Sequence, residues 1–198
     1  PDGRTPMFGD SQDDIFANVA WPIGQHFDMP ELKWALSNGK EGKPPEQTSM
    51  AFSSIGYYAM RTGWNTDDLC MVFDGGRMGQ AHSHEDMLSV LSQAHNTILI
   101  DGIGQCRWRQ DRELWYSHEP LDNPWHSDAK WDAVAATFDG PWEHTLSDAK
   151  AQRQIAFFKG EHDAPPFWWI TDRVTASGEH EIAQHFHFAV DVEVKAID

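Results

Sequence analysis

Three histidines fall close together in "GQAHSHEDMLSVLSQAHNTILIDGIGQ", residues 79–105: His82, His84 and His95, with Glu85, Asp86 and Asp101 among them. In an extended strand, His82 and His84 point to the same face, so one strand offers two imidazoles to a single site. Zinc takes imidazole nitrogen together with carboxylate oxygen, and uses three protein ligands where a fourth position stays open. His95 and Asp101 are the candidates for the remaining ligands. A neutral imidazole near pH 7 is also a general base. The cluster therefore reads as a metal site, a proton-transfer site or the polar edge of an ordinary sheet. A second constellation follows it. Arg107, Arg109 and Arg112 stand beside Trp108, Trp115 and Tyr116, a basic and aromatic run that suits an anion or, equally, a solvated loop paired to Asp111 and Glu113. In "HFHFAV", His185 and His187 alternate with Phe186, Phe188 and Val190, which is first of all the pattern of an amphipathic strand.

Whatever these residues do, β-strands must position them. Seven short runs rich in β-branched and aromatic residues, "SIGYYAMR", "LCMVFDG", "TILIDG", "DAVAATF", "RQIAFF", "FWWITDRV" and "IAQHFHFAVDV", are separated by Gly, Asp and Asn turns. Their spacing suggests an antiparallel sandwich or barrel, and the lack of helical crossovers between them disfavours a parallel sheet. Ahead of them come two helical patterns, 13–20 and 30–38, the second with Pro30 at its first turn and Gly39 just past its end. The hydrophilic "GKEGKPPEQT" between them and the strands marks a boundary. The expected organisation is a helical part over 1–45 and a β domain over 46–198.

Composition narrows the function classes. The chain has 198 residues, 40% hydrophobic and 12% aromatic with ten Trp, which describes a folded protein and excludes a disordered one. Core packing should claim most of the Trp, the rest serving as plates against sugar rings. A net charge of −16 repels nucleic acid and anionic membrane in bulk. No apolar run approaches the roughly 18 residues of a membrane span. Two cysteines, Cys70 and Cys106, make neither a disulfide framework nor a thiolate zinc cluster. The opening "PDGRTPMFGDSQDD" reads like the middle of a longer protein.

Two family patterns bear on the histidines. Gly76 ahead of His82-Ser83-His84 satisfies the first half of the cupin pattern, but Leu88 and Ser89 stand where a cupin places its glutamate. This leaves a cupin-type metal protein as a distant alternative. "MGQAHSHEDMLSV" resembles the His-x-His-Glu-Asp segment of the heparinase II/III-like polysaccharide lyases, and "HNTILIDGIGQ" resembles their His-Asn-Thr strand. "REL" and Tyr116 ahead of "EPLDNPW", then "FWWITDRV" and "HFHF", follow in the expected order, and "PDGRTPMFGDS" looks like the last loop of the family's α/α toroid.

The resemblance implies a mainly β fold, an antiparallel β-sandwich preceded by a short helical remnant of an α/α toroid, with part of the sandwich and most of the toroid not represented. It implies part of a lyase that cleaves a uronic-acid-containing polysaccharide, of the alginate or glycosaminoglycan class, by β-elimination. His82 maps to the catalytic cleft, His84 and His95 to a structural zinc, and Tyr116, Arg107, Arg109, Arg112 and Trp108 are the candidates for substrate contact. No organic cofactor is implied. The partners are an anionic polysaccharide and the upstream toroid, and the location periplasmic or secreted.

The family's metal carboxylate lies on a strand between the two histidine motifs, whereas here Ala94 runs directly into His95. Either that strand is missing and His95 is the zinc ligand, or the chain is continuous, Asp101 takes the acid position and His126 is the last ligand. The first reading is preferred. The toroid's share of the catalytic residues lies upstream of Pro1 in either case. The competing function is a sandwich that binds carbohydrate, or supports a neighbouring domain, without turnover.

Overall fold

The computed structural model describes residues 16–65, 67–76, 88–90, 96–105, 122–140, 142, 146, 148–161, 163–186 and 193–195. Two helices, α1 (Phe16–His26) and α2 (Pro30–Leu36), precede ten strands: β1 (Met50–Phe52), β2 (Tyr57–Arg61), β3 (Cys70–Asp74), β4 (Ser89–Val90), β5 (Ile98–Ile100), β6 (Trp125–Ser127), β7 (Trp131–Phe138), β8 (Lys150–Phe158), β9 (Phe167–Thr175) and β10 (Ile182–Gln184). The strands form three sheets, ordered β1-β2-β3-β4, β10-β5 and β6-β7-β8-β9. Every strand pair is antiparallel.

Alternation explains how the sheets close on one another. In β7 the buried positions are Asp132, Val134, Ala136 and Phe138, and in β8 Ala151, Arg153, Ile155 and Phe157. β9 turns Trp168, Ile170, Asp172 and Val174 the same way. Across the core stand Tyr58, Met60, Phe73 and Val90 of the first sheet and Ile98 and Ile100 of the second. Phe157 stacks on Trp168 with ring centroids 4.5 Å apart. The expected mainly β, antiparallel sandwich is therefore what forms. Truncating Phe157, fully buried, to Ala is expected to cost about 3–5 kcal/mol through lost transfer energy and the cavity left behind.

A buried polar knot joins the sheets at one end. Asp132 has no exposed surface. It accepts hydrogen bonds from Ser49 Oγ at 2.6 Å and Ser127 Oγ at 2.7 Å, and pairs with Lys159 Nζ at 2.8 Å. Ser49 Oγ in turn accepts the backbone N–H of Arg61. A buried carboxylate persists only when paired and hydrogen-bonded in this way.

Several sequence expectations are corrected. The first helix does not stop at Ala20 but runs through Pro22 to His26. Proline costs that helix a backbone bond, yet α2 folds back against it. An added Cβ on Gly24 would stand 3.3 Å from Leu32, so tertiary packing outweighs the local break. The second helix ends at Leu36 rather than 38, because Asn38 and Gly39 take positive φ. The run from Ser54 starts as a turn and becomes strand only at Tyr57. The last run is strand over Ile182–Gln184 alone among the described residues, so His185 follows its end. Strands β1, β4 and β6 had no sequence signal, being two or three residues long.

Candidate active site

His82 and His84 belong to the connection between β3 and β4, and His95 to the connection between β4 and β5. All three lie outside the described residues, as do Arg107, Trp108, Arg109, Arg112 and Tyr116. What the structure describes is the frame from which these segments spring.

The first connection leaves through Gly75 and Gly76. A Cβ on Gly75 would lie 2.7 Å from the Ala136 Cβ of β7, and one on Gly76 would lie 2.1 Å from the Ile55 carbonyl oxygen. Only glycine permits that approach. The exit is further fixed by Gly75 N donating to Gly56 O and Gly76 N donating to Asp74 Oδ1. The chain returns at Leu88, whose N–H donates to Asp74 O at 2.7 Å. Leu88 is fully buried and has φ of 64°, a left-handed backbone that costs a non-glycine residue on the order of 1 kcal/mol and persists only where the surroundings impose it.

Arg153 bonds the carbonyl of that residue. This guanidinium is fully buried. Nη1 donates to Leu88 O and to Asn96 O, each at 2.5 Å. Nε and Nη2 form a bidentate pair with Asp172 at 2.8 and 2.6 Å, and the group lies 5.6 Å from the Phe186 ring centre. Gln184 Nε2 completes the Asp172 shell. Leu88 follows the His82/His84 motif and Asn96 follows His95 in the chain, so one cation on β8 holds the first described residue after each. Asn96 Nδ2 also donates to Val90 O, tying together the two ends of the 91–95 segment.

Two sequence-expected metal ligands lie among the described residues, Asp101 and the alternative His126, and Asp101 sits at a turn. With Gly102 it forms the tight turn after β5, both at positive φ (53° and 75°), closed by hydrogen bonds between Ile100 and Ile103 in both directions. That is the turn an Asp-Gly pair favours. Both carboxylate oxygens are engaged: Oδ2 lies 2.7 Å from His180 Nδ1 and Oδ1 accepts the Glu181 N–H at 2.8 Å. The His180 bond and then the Glu181 N–H hold Asp101 below the usual carboxylate range, and the same bond raises His180. His126, the alternative last ligand, pairs instead with Asp128 Oδ2 at 3.0 Å. Hydrogen bonds from the Trp131 and Lys130 N–H groups and from His126 bring Asp128 down to about 2. Among the described residues no group of three or more His, Cys, Asp or Glu could hold a metal ion. Tyr58 is buried between Phe73 and Trp125, and burial pushes its phenol up, so it is core, as expected.

The C-terminal domain model of the heparinase II/III-like family matches residues 91–198, more than half of the chain. The chain belongs to the heparinase II/III-like family. A heparin-sulfate lyase of Pedobacter heparinus is 31% identical over 99 residues, covering 43% of this chain and 14% of that protein. The crystal structure of heparan sulfate lyase HepC from Pedobacter heparinus superposes over 91% of this chain with a TM-score of 0.68 at 20% identity. A heparinase III gene product does so over 91% with a TM-score of 0.67 at 16% identity. This heparinase II/III-like chain spans 31% of each of those structures. The resemblance seen in the sequence thus holds for family and fold. Sequence reading missed Arg153 and Asp172, although a signal was there: each is a charge at an inward position of an otherwise apolar alternation.

Proposed function

We propose that this chain is the β-domain portion of a polysaccharide lyase that acts on a uronic-acid-containing glycosaminoglycan of the heparan sulfate class. The observation that carries the reading is the Arg153 clamp, a buried, paired cation in a heparinase II/III-like fold that fastens the ends of both histidine segments. Removing one partner of that pair costs several kcal/mol, so the clamp holds the residues that follow each histidine motif in fixed positions.

In the proposed reaction, neutral His82 accepts the proton on the carbon beside the uronate carboxylate. The electrons of that C–H bond form a C=C bond as the glycosidic C–O bond breaks, and the leaving oxygen takes a proton from an acid. Abstraction from so weak a carbon acid requires the adjacent carboxylate to be neutralised and the developing enediolate to be stabilised. The protonating acid and the neutralising group belong to the upstream toroid. Arg107, Arg109, Arg112, Trp108 and Tyr116 are proposed to contact the anionic chain. His84 and His95 are proposed to hold a structural zinc that orders the loop. Both Asp101 oxygens already accept a hydrogen bond, from His180 and from the Glu181 N–H, so as a further ligand Asp101 would share them with the metal.

The test uses the complete protein. His82→Ala is expected to abolish the ultraviolet absorbance of unsaturated product on heparan sulfate while leaving the thermal transition unchanged. Unchanged activity removes His82 from the mechanism. Elemental analysis of His84→Ala against its parent should show less zinc, and equal zinc in both defeats the metal assignment.

A further inference from the structure

The outward face of β6–β9 has a different chemistry from its inward face. Pairing lines up His126, Ala133, Ala156 and Trp169 in one row across the four strands, with Ala135, Gln154 and Thr171 in a neighbouring row. The alanines leave a low floor, and a trough of about 410 Å³ opens between the His126 and Trp169 sides. That volume falls in the range of small-ligand sites.

Trp169 is 65% exposed, yet its indole is held in place by Nε1 donating to Thr171 Oγ1 at 2.9 Å. An indole that is both exposed and fixed offers a flat, preorganised apolar surface with a polar rim, which suits the face of a pyranose ring. Beyond Thr171 the face becomes polar. Gln152 donates to Thr137 Oγ1, and Gln154 donates to Gln152 Oε1. Arg173 and Lys150 are exposed on the same side.

Charge points to the occupant. The chain carries −16, yet the two carboxylates within β7–β9, Asp132 and Asp172, both turn inward. Among the described residues the outward positions of these three strands hold Lys150 and Arg173 and no acid, and the carboxylate at the edge of β6, Asp128, is paired to His126. Trp169 and Arg173 are four residues apart on one strand, roughly 13 Å, so successive residues of a single saccharide chain span them. Arg153, which bonds Leu88 and Asn96, points to the opposite face of the same sheet, so the two places are separated by the sheet itself.

We propose that the outer face of β6–β9 is an accessory binding site for an acidic polysaccharide, in which a sugar ring stacks on Trp169 over the alanine floor and carboxylate or sulfate groups meet Arg173 and Lys150. The chemical class of the ligand rests on the function proposed above. The site would hold a polymer on the face of the sheet opposite Arg153 without taking part in cleavage.

The experiment measures binding of heparan sulfate to the complete protein by calorimetry in the His82→Ala background, so that a protein with no lyase activity still reports on this face. Trp169→Ala and Arg173→Gln should each weaken binding roughly tenfold, Trp169→Phe should retain most of it, and added salt should erase the Arg173 effect first. Neutral dextran should bind far more weakly. In the active parent, Trp169→Ala should raise KM for the polymer and leave kcat unchanged. The proposal is overturned if Trp169→Ala, with an unchanged melting transition, binds as tightly as its parent. Equal binding of dextran overturns it too, as does shielding of Trp169 from acrylamide before any saccharide is added.

Discussion

The two parts of the sandwich that meet at Arg153 are built by different means. β7, β8 and β9 are eight or nine residues long and pair along their whole length, a ladder that follows from alternation and needs no help. β4 and β5 are two and three residues long and are held by specific devices: glycines without room for a Cβ, a left-handed Leu88, and carbonyls bonded to a cation from the other sheet. The long ladder is a rigid platform, and the segments proposed to carry the chemistry begin and end at the short strands that it fastens. Catalytic and metal-binding side chains commonly sit on connections held by such a scaffold.

Removing the fastener should have the largest effect. Arg153→Met leaves Asp172 buried without its partner and two carbonyls without a donor, and is expected to cost about 3–5 kcal/mol in chemical denaturation. Zinc content and lyase activity should fall together in whatever folded protein remains. If the variant unfolds at its parent's denaturant concentration, the clamp is not what holds the two regions together.

A smaller change separates placement from stability. Gly76→Ala drives a Cβ into the Ile55 carbonyl and should cost roughly 1–3 kcal/mol, with a loss of activity greater than the loss of stability accounts for, since it displaces the exit of the His82 segment. Thr175→Ser, at the exposed end of β9, is the control and should leave both nearly unchanged. Equal behaviour of the two variants would erase the contrast between the regions.

The smallest expected effect concerns the turn after β5. His180 is raised by its bond to Asp101, so its contribution is complete below the usual histidine value of about 6.5 and fades as pH rises through the raised one. Asp101 is lowered, so its contribution is present above its usual value of about 3.9 and fades as pH falls through the lowered one. The pair should stabilise most between those two values, and Asp101→Asn should flatten the melting temperature on both sides of that window. Zinc content of the same variant decides whether Asp101 is only a turn residue: no change keeps it with His180, and a fall makes it a ligand.

Much of this architecture was legible in the chain. The β-branched and aromatic runs "DAVAATF", "RQIAFF" and "FWWITDRV" placed the long strands to within a few residues, because such side chains suit a pleated, half-buried surface. The Asp-Gly turn after β5 was equally readable, since few other pairs accept two positive φ values. Pro22 misled, because the cost of a proline is local while the packing that offsets it comes from α2.

By itself, then, the sequence determined the longer sheet-forming segments, their antiparallel sense and the family, which follow from runs of strand-forming residues, from the lack of helical crossovers between them and from motifs contiguous in the chain. Tertiary structure decided what those segments touch. Arg153 is fifty-seven positions from Asn96 and sixty-five from Leu88, and the indole of Trp169 faces solvent rather than core only because β9 packs its even-numbered residues inward. No local pattern encodes such pairings. A buried charge shows in a sequence as an oddity, and its partner, often a backbone carbonyl, has no side chain to announce it.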